Sequence, residues 1–255
     1  MLFTFHNQRL FSDHYLNERV PASAEFATDP TLPFAEAQEL WAAYSATRKT
    51  GEKEGETEAN WIRPILTLLG HHAKPVPSLQ TPQGVKEPDY ILFPDEAAIG
   101  RLPDGTLHER DLGEALAICE AKRWNRPLDQ TKGKKNGLSD NPTLQTDFYM
   151  RHSGATWGIL TNGRKWRLYH ADSSKYLDRY YEVDLQLLLE EGNAQQFGYF
   201  YHFFHRSAFT NGFLARVLTK SREYERGVGA QPQRAGVRRA ARTRTRLSRL
   251  SRQPL

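Results

Sequence analysis

The chain has 255 residues, 38% hydrophobic and 11% aromatic, enough to pack one large domain or two small ones. Its formal net charge of +5 is uneven: residues 226–255 hold nine Arg and no Asp or Glu, leaving residues 1–225 with 26 of the 35 basic groups against all 30 acidic ones, a net of −4. No stretch approaches the roughly 20 apolar residues of a membrane span, the N-terminus shows no signal peptide pattern, and the single Cys119 excludes an internal disulfide or a multi-cysteine metal site.

In chain order, a short helix is expected over Ser12–Arg19 and a longer one over Phe34–Arg48, where Phe34, Leu40, Trp41 and Tyr44 can share a face. Thr50–Glu56 is rich in Gly and charge and reads as a loop. Thr57–Leu69 reads as a helix with the stripe Ile62, Ile65, Leu66 and Leu69, stopped by Gly70. The period then changes. His72–Leu79 is expected as an edge strand, because its prolines forbid a central one. Asp89–Phe93 and Ala115–Lys122 are expected as strands, Asn125–Asp140 as a Lys-rich loop and Thr143–Arg151 as a helix. Trp157–Thr161 and Arg164–His170, joined by Asn162-Gly163, carry a strong hairpin signal. Tyr180–Val183 adds a strand, and Leu185 to about Glu225 is helical, with the aromatic block FGYFYHFFH. The order predicts an α/β (α+β) fold with a mixed sheet. It divides into an N-terminal helical extension (1–50), a core (51–183), a helical connector (184–226) and an Arg-rich tail (227–255).

Strand Ala115–Lys122 has two unlike faces. Ala115, Ala117, Cys119 and Ala121 form a small-residue face that admits a close helix. Leu116, Ile118, Glu120 and Lys122 form the other, which ends in a carboxylate and an ammonium side by side. In a cleft, such a carboxylate can hold a hard cation and the lysine can hold a water. Taken alone, the pair better suits a strand end leaving the core for solvent, since short acid-and-lysine patterns arise easily by chance. Asp89, after Pro88, is the second acid; if its strand neighbours the first, Asp89 and Glu120 can converge on one Mg²⁺. Gln145 and Tyr149 share a helix face four residues apart.

The ordered set EPDY (87–90), EAK (120–122), QTDFY (145–149) and WGILTNGRKWRLY (157–169) resembles the PD-(D/E)xK nuclease superfamily. The resemblance is to the N-terminal nuclease region of type IIG restriction–modification enzymes and of type I restriction motor subunits, over roughly Glu56–His170. It implies a restriction-endonuclease-like core and a Mg²⁺-dependent DNA endonuclease, with Mn²⁺ as a substitute metal. It makes Asp89, Glu120 and the Ala121 carbonyl metal ligands and Lys122 the water-positioning charge. It gives Glu58 the place of the family's acid on the first core helix, and lets Gln145 and Tyr149 orient Lys122 or touch the scissile strand. The products would carry a 5′-phosphate and a 3′-hydroxyl. Arg123, Arg126, Lys132, Lys134 and Lys135 are the candidate DNA phosphate contacts. A cytoplasmic setting and partnership with an adenine methyltransferase and a target-recognition module are expected, with no membrane.

No Walker loop, dinucleotide glycine fingerprint or G-x-S-x-G elbow occurs, and no N-P-P-Y/F methyltransferase tetrapeptide. The chain is therefore expected to be a separate nuclease subunit or a truncated fragment. The rival expectations are a non-catalytic DNA- or partner-docking module and an inactive fragment. The tail lacks the apolar residues to pack and is expected to be disordered. It is either a basic arm or a shifted reading frame, and the end of the helical pattern near Glu225 favours the second.

Overall fold

The computed structural model describes residues 5–129, 141–174 and 178–230. Among them are nine strands: β1 (His6–Gln8), β2 (His72–Pro75), β3 (Leu79–Thr81), β4 (Gly84–Lys86), β5 (Tyr90–Phe93), β6 (Ala117–Ala121), β7 (Trp157–Thr161), β8 (Lys165–His170) and β9 (Tyr180–Asp184). The helices are α1 (Thr31–Thr47), α2 (Glu54–Thr57), α3 (Arg63–Leu68), α4 (Glu96–Gly100), α5 (Pro142–Ser153), α6 (Ala171–Ser174), α7 (Leu185–Glu191), α8 (Ala194–Phe204), α9 (Arg206–Thr210) and α10 (Phe213–Ala230). The fold is mixed α/β. Seven strands form one sheet in the order β1-β9-β8-β7-β6-β5-β2, and β3 pairs with β4 apart from it. Neighbours are antiparallel except β6 and β7, which run parallel with α5 between them in sequence.

Each face of the sheet carries its own core. On one, Tyr90, Leu92, Ala117, Cys119, Ala121, Trp166 and Tyr181 meet Trp61, Ile65, Phe200 and Phe204 of the helices. On the other, Ile91, Ile118, Leu160 and Tyr169 meet Phe148, Tyr149 and Met150 of α5. Residues from 10 to 218 contribute to the first core, so the expected extension and connector segments both pack on the sheet. The small-residue face of β6 lies in that core. The helix packed on β6 and β7 is α5, on the opposite face. Gly158 admits it, because a Cβ there would collide with Met150 and Thr146.

α5 starts one residue earlier than its periodicity suggests. Asn141 caps it, accepting from Thr143 N and Leu144 N, Pro142 takes the first turn, and Gly154 ends it at φ 70°. The expected Thr50–Glu56 loop is corrected: α2 begins at Glu54, because the Glu56 carboxylate accepts from Lys53 N at 2.7 Å and closes the helix start. A π-helical turn, Glu58–Ile62, joins α2 to α3. The hairpin tip is also shifted. Thr161 pairs with Trp166 and Asn162 N bonds Lys165 O, which puts Gly163 and Arg164 at the tip. Asn162 closes the turn instead, its side chain accepting from Arg164 N and Lys165 N. α10 runs past the expected stop near Glu225 to Ala230, so the tail's first residues are helical. The remainder, 231–255, lies outside the described residues. Among the described residues no helix is long and apolar enough to cross a membrane.

Candidate active site

The register Tyr90↔Cys119 between antiparallel β5 and β6, carried one residue outward, sets Asp89 opposite Glu120. Alternation turns Glu120 and Lys122 to the α5 side of the sheet, with Ile118. The Lys122 ammonium lies 2.5 Å from Glu120 Oε1, 3.6 Å from Asp89 Oδ2 and 3.9 Å from Glu54 Oε1. Glu120 is 0% exposed and Lys122 3%. Asp89 Oδ2 also accepts from Ala121 N at 2.7 Å, which ties the end of β6 to the start of β5.

This is an expensive place for charge. Glu120 Oε2 is buried with no hydrogen-bond partner. Burial pushes the Glu120 carboxyl far above its ordinary range; the Asp89 charge adds to this, and Lys122 offsets it only in part. For Lys122, burial pulls the other way, but Glu120, Asp89 and Glu54 together hold the ammonium above its ordinary value.

Several expected residues gather here. Tyr149, 5% exposed, packs from α5 and donates to Glu87 O at 3.3 Å; burial raises its phenol pKa, and the Gln145 side chain lies near enough to lower it in part. Glu58 is held one step away: its Oε2 accepts from Tyr90 OH at 2.6 Å, and Arg63 Nε donates to that hydroxyl at 3.0 Å. Burial raises the Glu58 carboxyl, and the Asp89 and Glu54 charges raise it further. Glu54, and not Glu58, is the helix acid that reaches Lys122. Periodicity missed it because the residues around it read as a loop. Arg123 is exposed at the mouth, its backbone N bonded to Glu54 Oε2 at 3.0 Å. Arg126 Nη1 lies 4.0 Å from the same oxygen. Lys132, Lys134 and Lys135 lie outside the described residues.

Among the described residues no three His, Cys, Asp or Glu side chains form a ready cation cage. A buried ammonium sits among the carboxylates, and one carboxylate oxygen is left unsatisfied. Such a site can bind a cation or hold and polarise a water. The histidines of two short clusters, 71–72 and 202/205, lie outside this site. His71 Nε2 bonds Phe204 O at 2.7 Å, His72 pairs with Glu96 at 3.0 Å, His202 is buried on α8, and His205 caps α9. No protein-family model matches the chain, and no curated protein or solved structure matches it.

Proposed function

We propose that the chain is a Mg²⁺-dependent DNA endonuclease of the PD-(D/E)xK type, with a restriction-endonuclease-like core, acting in a restriction–modification or phage-defence system. One observation carries the reading: Asp89, just before β5, stands opposite Glu120 of β6, and the two share the Lys122 ammonium. The parallel β6–β7 pair and α5 support it, because they bring Gln145 and Tyr149 to the same end of the sheet.

The residues fit a Mg²⁺ ion. Glu120 Oε2 is buried and unpartnered, so a cation would complete it. Asp89, Glu120 and the Ala121 carbonyl would hold the metal, and water and phosphate oxygens would supply the other positions, as is usual for Mg²⁺. When bound, the metal polarises the phosphate and acidifies water. Lys122 holds the attacking water and offsets charge developing on the phosphate oxygens. Tyr149 and Gln145 fix the approach to Lys122, and Glu58 acts through Tyr90.

A second reading has its own support. With Lys122 on Glu120 and Asp89 on the Ala121 amide, the same groups can serve as a structural tie, and the fold would only dock DNA or a partner. Target choice under either reading falls to a separate module, such as an adenine methyltransferase with its recognition domain. The test is incubation of the full chain with duplex DNA and Mg²⁺ or Mn²⁺. The nuclease reading expects ends bearing 5′-phosphate and 3′-hydroxyl; intact DNA with both metals favours docking.

A further inference from the structure

The backbone leaving β6 is pinned at every step. Arg123 N donates to Glu54 Oε2 at 3.0 Å and Trp124 N to Thr57 Oγ1 at 3.1 Å. Asn125 N donates to Asn162 O at 3.0 Å, Arg126 N to Arg123 O at 3.1 Å, and Asn162 Nδ2 to Arg126 O at 2.6 Å. Asn125 takes φ 55°, which Asn tolerates better than most residues. The expected loop starts at Asn125, yet 123–126 is a hydrogen-bonded turn.

The turn faces the C-terminal end of α1. There the Arg48 guanidinium lies 4.8 Å over the Trp124 ring, and Trp124 stacks on Trp41 at 5.3 Å. Between turn and helix is a cavity of about 240 Å³ whose lining includes Arg48, Lys49, Arg123, Arg126, Trp124 and Glu52. Glu52 is engaged inward, accepting from Tyr44 OH and from Thr57 Oγ1. Four cations thus line one small cavity on a body whose net charge is negative. The volume is below the roughly 300–1,000 Å³ of small-molecule pockets, which suits a phosphate group better than a larger ligand. Glu54 adjoins both places: Oε1 lies 3.9 Å from Lys122 Nζ, and Oε2 meets Arg123 N and Arg126.

We propose that this cavity binds a backbone phosphate of nucleic acid, next to the phosphate held at the Asp89–Glu120–Lys122 site; the choice of ligand rests on the nuclease reading. Arg and Lys are the side chains that neutralise phosphates, and such contacts fix register without reading sequence. The bound strand then crosses the C-terminal end of β6. Because the turn is already ordered, little conformational entropy is lost when the phosphate arrives.

The experiment compares the full chain with its Arg48→Ala/Lys49→Ala variant. Binding of a labelled duplex is followed by fluorescence anisotropy in EDTA, where no divalent metal is free, across a salt series. The tail is common to both proteins, so the difference reports the cavity. The variant is expected to bind more weakly, with a dependence of log K on log[salt] shallower by about 0.9, since one neutralised phosphate contributes about 0.9. Equal affinity and equal slope would overturn the proposal. If loss of the Arg48 contact to Trp124 lowers the melting temperature, Lys49→Ala alone carries the test, with an expected change in the same direction of at most about 0.9. The two readings fail separately. Cleaving wild type with an unchanged variant slope removes the cavity and leaves the nuclease. Non-cleaving wild type with a shallower variant slope removes the nuclease and leaves the cavity.

Discussion

Glu120→Gln separates a carboxylate kept for chemistry from one kept for stability. The side chain is 0% exposed, one of its oxygens has no partner, and burial raises its pKa well above the ordinary 4.5. The folded protein therefore holds a proton that the unfolded chain releases above pH 4.5. Wild-type stability falls as pH rises through this window, by about 1.4 kcal/mol per unit. Gln keeps the volume and cannot ionise, so it escapes the slope. From pH 5.5 to 7.0 the stability of Glu120→Gln relative to wild type should rise by about 2 kcal/mol. Urea unfolding of both proteins in EDTA at the two pH values measures this, and the variant should not cleave DNA at either. A difference that stays flat, or falls as pH rises, would mean that Glu120 is ionised and held by Lys122 as a structural pair.

Two further outcomes follow from the same structure. Gly163→Ala should cost about 2–4 kcal/mol in urea unfolding, because φ is 79° and the new Cβ would meet Trp124 at 2.9 Å and Trp61 at 3.0 Å; unchanged stability would contradict the turn. His71 and His202, both lowered to about 4 by burial, should keep neutral imidazole signals at pH 5 by NMR. Their contribution to stability is full above about pH 6.5 and lost as pH falls toward 4, opposite in sign to that of Glu120; titration of either near 6.5 would refute it.

The parts of the fold that were legible in the sequence are those where one local rule acts alone. β6 could be read from its two alternating faces, and the β7–β8 hairpin from Asn162-Gly163, although its tip lies one residue further on. What escaped depends on distant partners. β1 is three polar residues that become a strand only by pairing with β9. The β3–β4 hairpin lies off the main sheet, with three residues per strand and little alternation to read. α2 starts at Lys53-Glu54 without a favoured capping residue, because the Glu56 side chain does the capping. That hid Glu54, whose contact with Lys122 spans 68 positions. Asp89 and Glu120 were named from motif order; their cross-strand pairing needed the register, which no local pattern encodes. The site's burial was also illegible, since a Glu and a Lys closing a strand normally point to solvent.

Cleavage of duplex DNA in Mg²⁺ by wild type and Lys122→Ala side by side, with binding of the same DNA measured in EDTA, decides whether this site cuts DNA. Lys122 Nζ is the one ammonium that both Asp89 and Glu120 reach among the described residues. Wild type is expected to cleave only with metal, Lys122→Ala to lose cleavage, and both to bind DNA. Undiminished cleavage by Lys122→Ala would place the chemistry elsewhere and contradict the assignment of this site.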